Sequence, residues 1–434
     1  PTMRPRFIGA SHSPVGVGLG GGSILALSVS DGSVLLYEVG LCSLENVSSW
    51  FARANIFRNL LDAGRTGAKI IEAWEPIGKV TSIFDLKSAP LLAQVRMQPE
   101  FSMPNAVFCP TPIYHYLENS EIDTTGTRVC ASKHGSGEYS SQAVALLATS
   151  HGRILSIWKC GMIHWKDPKL LMALLACPDG EVITCLAASS FEMQPPKEGQ
   201  SSAQGLFQVV AGRSDGAVLC WRFWINPCKE EFKCTLNAIQ CFRPACDMPV
   251  NTVTVIPTPG TGAARMRIHA VATYGSEVVY CDPNPSKDAA NNQVVDVRGT
   301  GHSDRVSAVI VETHGGLSKE VVPVIVSCDI AGKMVLWRIS KKTSTMVGEP
   351  FHTRARSVNG VSLPCFGIAA SSNANIMAFA EGMRPATVTV KSVSMCPWRA
   401  SVVGLMWQLS DMLAGHKMIK LKKNSIFCDF FRFF

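Results

Sequence analysis

Cysteines are the residues of this chain whose type and spacing most directly suggest chemistry, since 16 of its 434 residues are cysteine. The densest group comprises Cys228, Cys234, Cys241 and Cys246, with gaps of five, six and four residues. Zinc sites usually present paired ligands two to four residues apart. The spacing therefore favours ordinary core or loop cysteines, with a metal site as the alternative.

Other cysteines lie inside apolar runs that have the composition of strands. Cys185 falls in VITCLAA and Cys220 in AVLCWRF. A free cysteine behaves as a small buried hydrophobe. The sequence shows no secretion signal, so these thiols are expected to be reduced, in the cytosol or nucleus.

Two short segments match the sequence motifs of a catalytic loop and of a nucleotide-binding loop. Residues 212–216 read G-x-S-x-G around Ser214, and residues 16–21 read G-x-G-x-x-G. Both chemistries require a helix directly after the loop. The following segments, AVLCWRF and SILALSVS, predict strands instead. We therefore expect a hairpin residue at Ser214 and a flexible lead into a strand at 16–21, with no catalytic residue, cofactor or metal.

Charge gives little sign of direct nucleic-acid binding. The net charge is +8, and residues 396–434 hold half of this surplus, with six Lys or Arg against two Asp. The run KMIKLKK at 417–423 could contact phosphate, but it lacks interleaved aromatic residues. The rest of the chain is nearly balanced. No window of about 18 consecutive apolar residues predicts a membrane span.

The elements that would position these residues follow one recurring pattern. A short apolar run, a tight glycine-containing turn and a second apolar run that ends in an aromatic residue recur at 23–39, 144–160, 207–223, 267–282 and 322–339. Such turns between β-rich runs predict hairpins. The predicted two-residue turns are Asp31-Gly32, His151-Gly152, Asp215-Gly216, Gly275-Ser276 and Ala331-Gly332, and the aromatic residues after them are Tyr37, Trp158, Trp221, Tyr280 and Trp337.

These hairpins have the pattern of the two central strands of a WD40-type propeller blade. The hairpin at 322–339 is the most complete, because Gly301-His302 precedes it. In the usual blade a histidine, a hydroxyl residue, a turn aspartate and a tryptophan form a buried hydrogen-bond chain. His302, Ser327 and Trp337 can fill three places, but Ala331 stands in the turn. We therefore expect an incomplete chain of hydrogen bonds.

The spacing of the turns predicts about seven degenerate blades with inserted loops over residues 7–395. An additional blade would use KVTSIFDL at 79–86 and LLAQVRM at 91–97, and the last would lie within 358–394. Residues 45–63 predict a helix, with apolar side chains at 47, 50, 54, 57 and 61 on one face. This helix would pack on the propeller rim or contact a partner.

Two segments resemble the delta-type propeller subunit of general transcription factor IIIC, in particular its plant versions. SHSPVGVGLGGGSILALSVSDGSVLLYEV at 11–39 resembles the opening blade of that family. LPCFGIAASSNANIMAFAEG at 363–382 resembles its late cysteine-phenylalanine-glycine strand and the run after it. The resemblance covers residues 7–395. The family continues into a zinc-binding domain, whereas residues 396–434 depart from it as a basic and aromatic tail, which suggests a truncated or mis-spliced gene.

The resemblance implies a seven-bladed propeller in the nuclear complex that recruits RNA polymerase III to transfer-RNA-type genes. The protein would be a non-catalytic scaffold that binds other factor IIIC subunits and the initiation machinery, and would meet DNA only through the complex. Two alternatives stay open. One is a generic WD40 adaptor of another complex; the other is a histone acetyltransferase, an activity attributed to animal members. No R/Q-x-x-G-x-G/A loop for coenzyme A is present in the sequence.

Overall fold

The structure, a computed structural model, is described for 23 ranges of the chain. They are residues 7–18, 22–30, 32–39, 51–65, 70–72, 82–84, 104–114, 143–161, 168–177, 181–194, 204–227, 232–259, 266–282, 295–299, 301–314, 322–331, 333–340, 345–353, 357–358, 361–362, 365–370, 376–381 and 405–406. These residues form an all-β chain with one described helix. No helix among them is long and apolar enough to cross a membrane.

The first sheet is a four-stranded antiparallel meander. It consists of β1 (Phe7–His12), β2 (Ser23–Val29), β3 (Val34–Val39) and β4 (Phe51–Asn55), in that order. The helix α1 (Ile56–Arg65) follows β4 directly and packs on β3 and β4. The predicted helix at 45–63 was wrong for residues 51–55, which pair with β3 as the fourth strand, while residues 45–50 lie outside the described residues. The helix begins only where the Asn55 side chain accepts a hydrogen bond from the Arg58 amide, as a helix cap does.

The second sheet has seven strands. It consists of β5 (Ile70–Glu72), β6 (Ser82–Phe84), β7 (Asn105–Phe108), β8 (Ile113–Tyr114), β9 (Ala143–His151), β10 (Ile154–Gly161) and β11 (Lys169–Leu175). The order is β6-β5-β11-β10-β9-β7, with β8 also on β9. KVTSIFDL at 79–86 therefore contributes β6 to this sheet rather than a strand of its own blade. LLAQVRM at 91–97 lies outside the described residues.

Three further sheets follow the same meander order. The third holds β12 (Ile183–Ala188), β13 (Glu192–Gln194), β14 (Gln204–Arg213), β15 (Val218–Asn226) and β16 (Lys233–Arg243). The fourth holds β17 (Thr252–Pro259), β18 (Met266–Tyr274), β19 (Glu277–Asp282) and β20 (Val295–Gly299). The fifth holds β21 (Val306–His314), β22 (Val322–Asp329), β23 (Lys333–Ser340) and β24 (Thr345–Thr353).

Shorter strands end the described chain. β25 (Ser357–Val358) pairs with β26 (Val361–Ser362), while β27 (Cys365–Ala370), β28 (Ile376–Glu381) and β29 (Leu405–Met406) form a three-stranded sheet. The described residues thus contain five sheets of four or more strands, not the predicted seven blades. One reason is that the segment expected to form an additional blade extends the second sheet instead.

The sheets belong to two compact units. The first comprises residues 1–211 and 219–240, and the second comprises 212–218 and 241–434. In the first unit, β7 contacts both β1 and β12; in the second, β21 contacts both β17 and β27. Within each unit, neighbouring sheets therefore meet through the strand at one end of each sheet, as propeller blades do. The first and second sheets bury apolar side chains against each other, and so do the fourth and fifth. Trp158, Trp221 and Trp337 are among the largest fully buried residues.

Candidate functional site

The fifth sheet contains a continuous buried chain of polar side chains around Trp337. The Trp337 indole Nε1–H donates to Ser327 Oγ at 2.6 Å, and Ser327 Oγ lies 2.5 Å from His302 Nε2. His302 Nδ1 in turn lies 3.2 Å from Asp329 Oδ2. A neutral imidazole protonated at Nδ1 satisfies every member, since Ser327 O–H then donates to Nε2 and Nδ1–H donates to Asp329. Burial, the dominant influence, lowers the pKa of His302 and favours this neutral form.

Asp329 completes the chain that the sequence led us to expect to be incomplete. The carboxylate comes from the end of β22, two residues before Ala331, and its Oδ1 also accepts the Lys333 backbone N–H at 2.8 Å. The signal that would have found it is the Ser-x-Asp spacing of Ser327 and Asp329, because residues two apart in a strand share a face. The expectation based on Ala331 was therefore wrong, because the aspartate of this hairpin stands two residues earlier in the chain, at the end of β22.

Trp337 leaves no room for a side chain at Gly348 on the neighbouring strand β24. A Cβ atom built on Gly348 would lie 2.6 Å from Trp337 Cζ3 and 2.9 Å from Val335 Cγ1. The indole cannot retreat, because it is fully buried and hydrogen-bonded to Ser327. The backbone of β24 must therefore approach the ring closely.

Gly348→Ala is expected to lower the free energy of unfolding by about 2 kcal/mol, the usual cost of overpacking a core. Equilibrium urea unfolding of the full chain measures it. Gly9→Ala is the control, because a Cβ there meets Ser28 at an ordinary 3.7 Å. Equal stability of the two variants would contradict the close approach of β24 to Trp337.

The second sheet replaces this chain with a compact hydroxyl cluster. Trp158 Nε1–H lies 2.8 Å from Ser156 Oγ and 3.1 Å from Thr149 Oγ1, and the two hydroxyl oxygens are 2.7 Å apart. All three side chains are buried. Thr149 and Ser156 are cross-strand partners of β9 and β10, so strand register alone brings them together. The cluster satisfies the indole without a histidine or an aspartate.

At the predicted turn of the third sheet, Asp215 binds the backbone and a neighbouring arginine. Its carboxylate accepts the Ala217 N–H at 3.0 Å and pairs with Arg213 Nη2 at 2.5 Å. Gly216 has a φ of +83°, and its carbonyl accepts the Tyr274 hydroxyl at 2.9 Å. These contacts hold the turn in a fixed shape. Trp221, from the same hairpin, is fully buried on β15.

The remaining blade residues occupy turns and strand ends. Gly32 and Gly152 both have positive φ, +91° and +60°, as tight turns require. Tyr37 is half-buried on β3, and the Tyr280 hydroxyl lies 2.5 Å from His269 Nδ1. The turn after β9 comprises residues 152 and 153, one position later than the sequence indicated. Asp31 and Gly332 lie outside the described residues.

The two motif-like loops use their polar groups internally. Gly16 N–H and Gly18 N–H both donate to the Gly22 carbonyl, at 3.0 and 2.9 Å. These amides therefore point at the chain itself rather than at a phosphate. Ser214 lies in the turn between β14 and β15, with a strand on either side, as expected for a hairpin residue.

Of the ten cysteines whose burial the structure describes, six are buried, and Cys185, Cys234, Cys241 and Cys246 are partly buried. No group of three or more His, Cys, Asp or Glu residues that could hold a metal occurs there. Burial raises the pKa of both Cys220 and Cys234 to about 12, so these thiols are protonated at neutral pH. Cys228, the first of the four clustered cysteines, lies outside the described residues.

The site is thus a repeated structural arrangement, in which the indole nitrogens of Trp158 and Trp337 are buried and donate to hydroxyl groups of the same or the adjacent strand. Together with the four-stranded antiparallel sheets, it shows an all-β chain built from WD40-type propeller blades. The hydrogen-bonded side chains are enclosed, and they hold strands together. What the described blades present to other molecules is their turns, loops and outer strand edges.

Comparison with known proteins gives only distant similarity. No family model and no curated protein matches the sequence. Among solved structures, the chain is similar to Sqt1 from Saccharomyces cerevisiae, with a TM-score of 0.39 and 9% identity over 86% of this chain and 69% of that one. It is also similar to Raptor from Chaetomium thermophilum, with a TM-score of 0.37 and 12% identity, but it covers only 22% of that chain. The assignment of blades therefore rests on the strand pairing and buried networks of this chain.

Proposed function

We propose that the protein is a non-catalytic scaffold subunit of the nuclear transcription factor IIIC complex, which supports initiation by RNA polymerase III at transfer-RNA-type genes. It would bind other subunits of the factor and the initiation machinery through protein surfaces. DNA would be contacted only through the assembled complex.

The observation that supports the scaffold role is that the buried polar side chains bind one another and the backbone. The chain of His302, Ser327 and Asp329 and the pair of Arg213 with Asp215 are engaged within single units. Their contacts hold strands and turns in place, so these residues stabilise a rigid domain. Propeller-type domains bind partners through loops and edges carried by a rigid framework of this kind.

The finer assignment to factor IIIC is supported by two segments of sequence. Residues 11–39 contain the end of β1 and all of β2 and β3 of the first sheet, and residues 363–382 contain β27 and β28 of the last. The resembling segments therefore mark both ends of the series of sheets. A shared order of elements at both ends is what a common propeller subunit would have.

Affinity purification of the tagged full chain from nuclear extract, followed by mass spectrometry, tests this assignment. We expect the other factor IIIC subunits in amounts close to that of the tagged chain. Asp304→Ala, at an exposed loop residue, serves as a tagged variant that should retain them. Recovery of a different complex without factor IIIC subunits would leave a WD40 adaptor and exclude the transcription role. Saturable binding of coenzyme A would contradict the non-catalytic part.

A further inference from the structure

The outer edge of β11 already accepts an added strand in this structure. β5 pairs with it in parallel, with Ile70 opposite Ala173, Ile71 opposite Leu174 and Glu72 opposite Leu175. β5 has only three residues, whereas β11 has seven. The added strand therefore covers less than half of the edge.

Residues of β11 are buried where β5 pairs with them and are more exposed where it does not. Residues 173–175, which lie opposite β5, are all buried. In the other half, Lys169 is exposed and residues 170–172, Leu-Leu-Met, are only partly buried. No described strand pairs with the outer edge of residues 169–172. An edge of this kind presents backbone N–H and C=O groups that can accept another strand.

Two lysines lie opposite each other at the same end of β11. Lys169 lies directly opposite Lys159 in the register of β10 and β11. The like charge of Lys169 adds to the main effect of burial in lowering the pKa of Lys159. Like charges directly opposite each other destabilise a strand pair. Residues 66–69, which precede β5 in the chain, read TGAK and contain no carboxylate.

We propose that Lys169–Met172 is a strand-addition site for an extended acidic and apolar segment of a partner protein. The segment would lie parallel to β11, in line with β5. Its backbone would pair with the open edge, its apolar side chains would cover residues 170–172, and a carboxylate would face Lys169. This site deepens the proposed scaffold function and rests on it, because it names the kind of segment that the scaffold binds.

Fluorescence anisotropy of the full chain with labelled synthetic peptides tests the site. The probe is an extended heptapeptide, Glu-Ile-Val-Glu-Ile-Val-Glu, and its charge-reversed counterpart has lysine in place of each glutamate. A third peptide keeps the probe's side chains but carries N-methyl groups at alternate backbone amides. We expect only the unmethylated acidic probe to bind, because strand addition needs both the backbone donors and the charge.

Lys169→Glu should weaken binding of the acidic probe about tenfold, the effect of one reversed charge at a partly buried contact. Lys233→Glu is the matched control, since Lys233 is also the exposed first residue of an outer strand, β16. We expect less than a twofold change there. Hydrogen exchange should show slower exchange of the amides of residues 169–172 in the presence of the acidic probe.

The proposal is overturned if no peptide binds, if the lysine or N-methylated peptide binds as tightly as the probe, or if both lysine variants respond equally. These outcomes are independent of the nuclear-extract experiment. If factor IIIC subunits co-purify with the chain but the probe does not bind, the scaffold function is retained and the subunits bind another surface. Probe binding without those subunits would preserve the edge site and exclude the factor IIIC assignment.

Discussion

Asp329→Ala should lower the free energy of unfolding by about 4 kcal/mol. The carboxylate is completely buried, and two donors depend on it: His302 Nδ1 and the Lys333 backbone N–H. Each buried donor left without an acceptor costs about 1–3 kcal/mol. Equilibrium urea unfolding, followed by tryptophan fluorescence, measures the change.

Asp304→Ala is the matched control for this substitution. Asp304 is an exposed aspartate in the loop before β21, and its carboxylate accepts the adjacent Arg305 N–H at 2.7 Å. We expect a change within about 0.5 kcal/mol there, as for other surface sites. Asp329→Asn should fall between the two, because the amide oxygen can still accept one of the two hydrogen bonds. A loss below about 1 kcal/mol for Asp329→Ala would show that the chain around Trp337 does not stabilise the fifth sheet.

The hairpins could be predicted from sequence because their information is local. Alternating apolar runs and glycine turns specify β2 with β3, β9 with β10 and β18 with β19 within less than 20 residues each. The register of Thr149 with Ser156 was not predicted, because the observed turn at residues 152 and 153 lies one position later than the sequence indicated. The burial of Trp158 and Trp337 does follow from the sequence, since an aromatic residue at that position of a central strand has a neighbouring sheet on either side.

Other features depend on contacts that the sequence does not display. The segment 45–63 has a helical pattern, yet β3 takes Phe51–Asn55 as its fourth strand, so tertiary pairing overrides local preference. Likewise, β5 joins β11 in parallel across about 100 residues of chain. Asp329 was missed for a related reason: the expected turn position was fixed by analogy, while the carboxylate reaches His302 through space.

His151 has an environment that could not be predicted from the sequence. It appeared as the first half of a turn, but the structure places it at the end of β9, buried, with its ring stacked on Phe57 of α1 at 5.2 Å. Neither ring nitrogen makes a well-formed hydrogen bond with another described residue. Burial lowers the pKa of His151 to about 4, against a smaller opposing effect of the Gly32 backbone.

The stability of the protein should therefore fall by about 3 kcal/mol between pH 6.5 and pH 4 through His151 alone. The pKa is about 4 in the folded chain and 6.5 in the unfolded chain, so the unfolded chain binds more protons in this interval. Each unit of difference corresponds to about 1.36 kcal/mol. The contribution is fully present above pH 6.5, is lost as the pH falls, and changes no further below pH 4.

His12 and His302, whose pKa values burial also lowers, act in the same direction. His151→Leu separates the contributions, because leucine keeps an apolar contact with Phe57 and cannot bind a proton. We expect urea unfolding of this variant to lose about 3 kcal/mol less than the wild type between pH 6.5 and pH 4. Parallel stability curves for the two proteins would mean that His151 is protonated equally in both states. Water would then reach its ring in the folded chain, and α1 would not seal the end of β9.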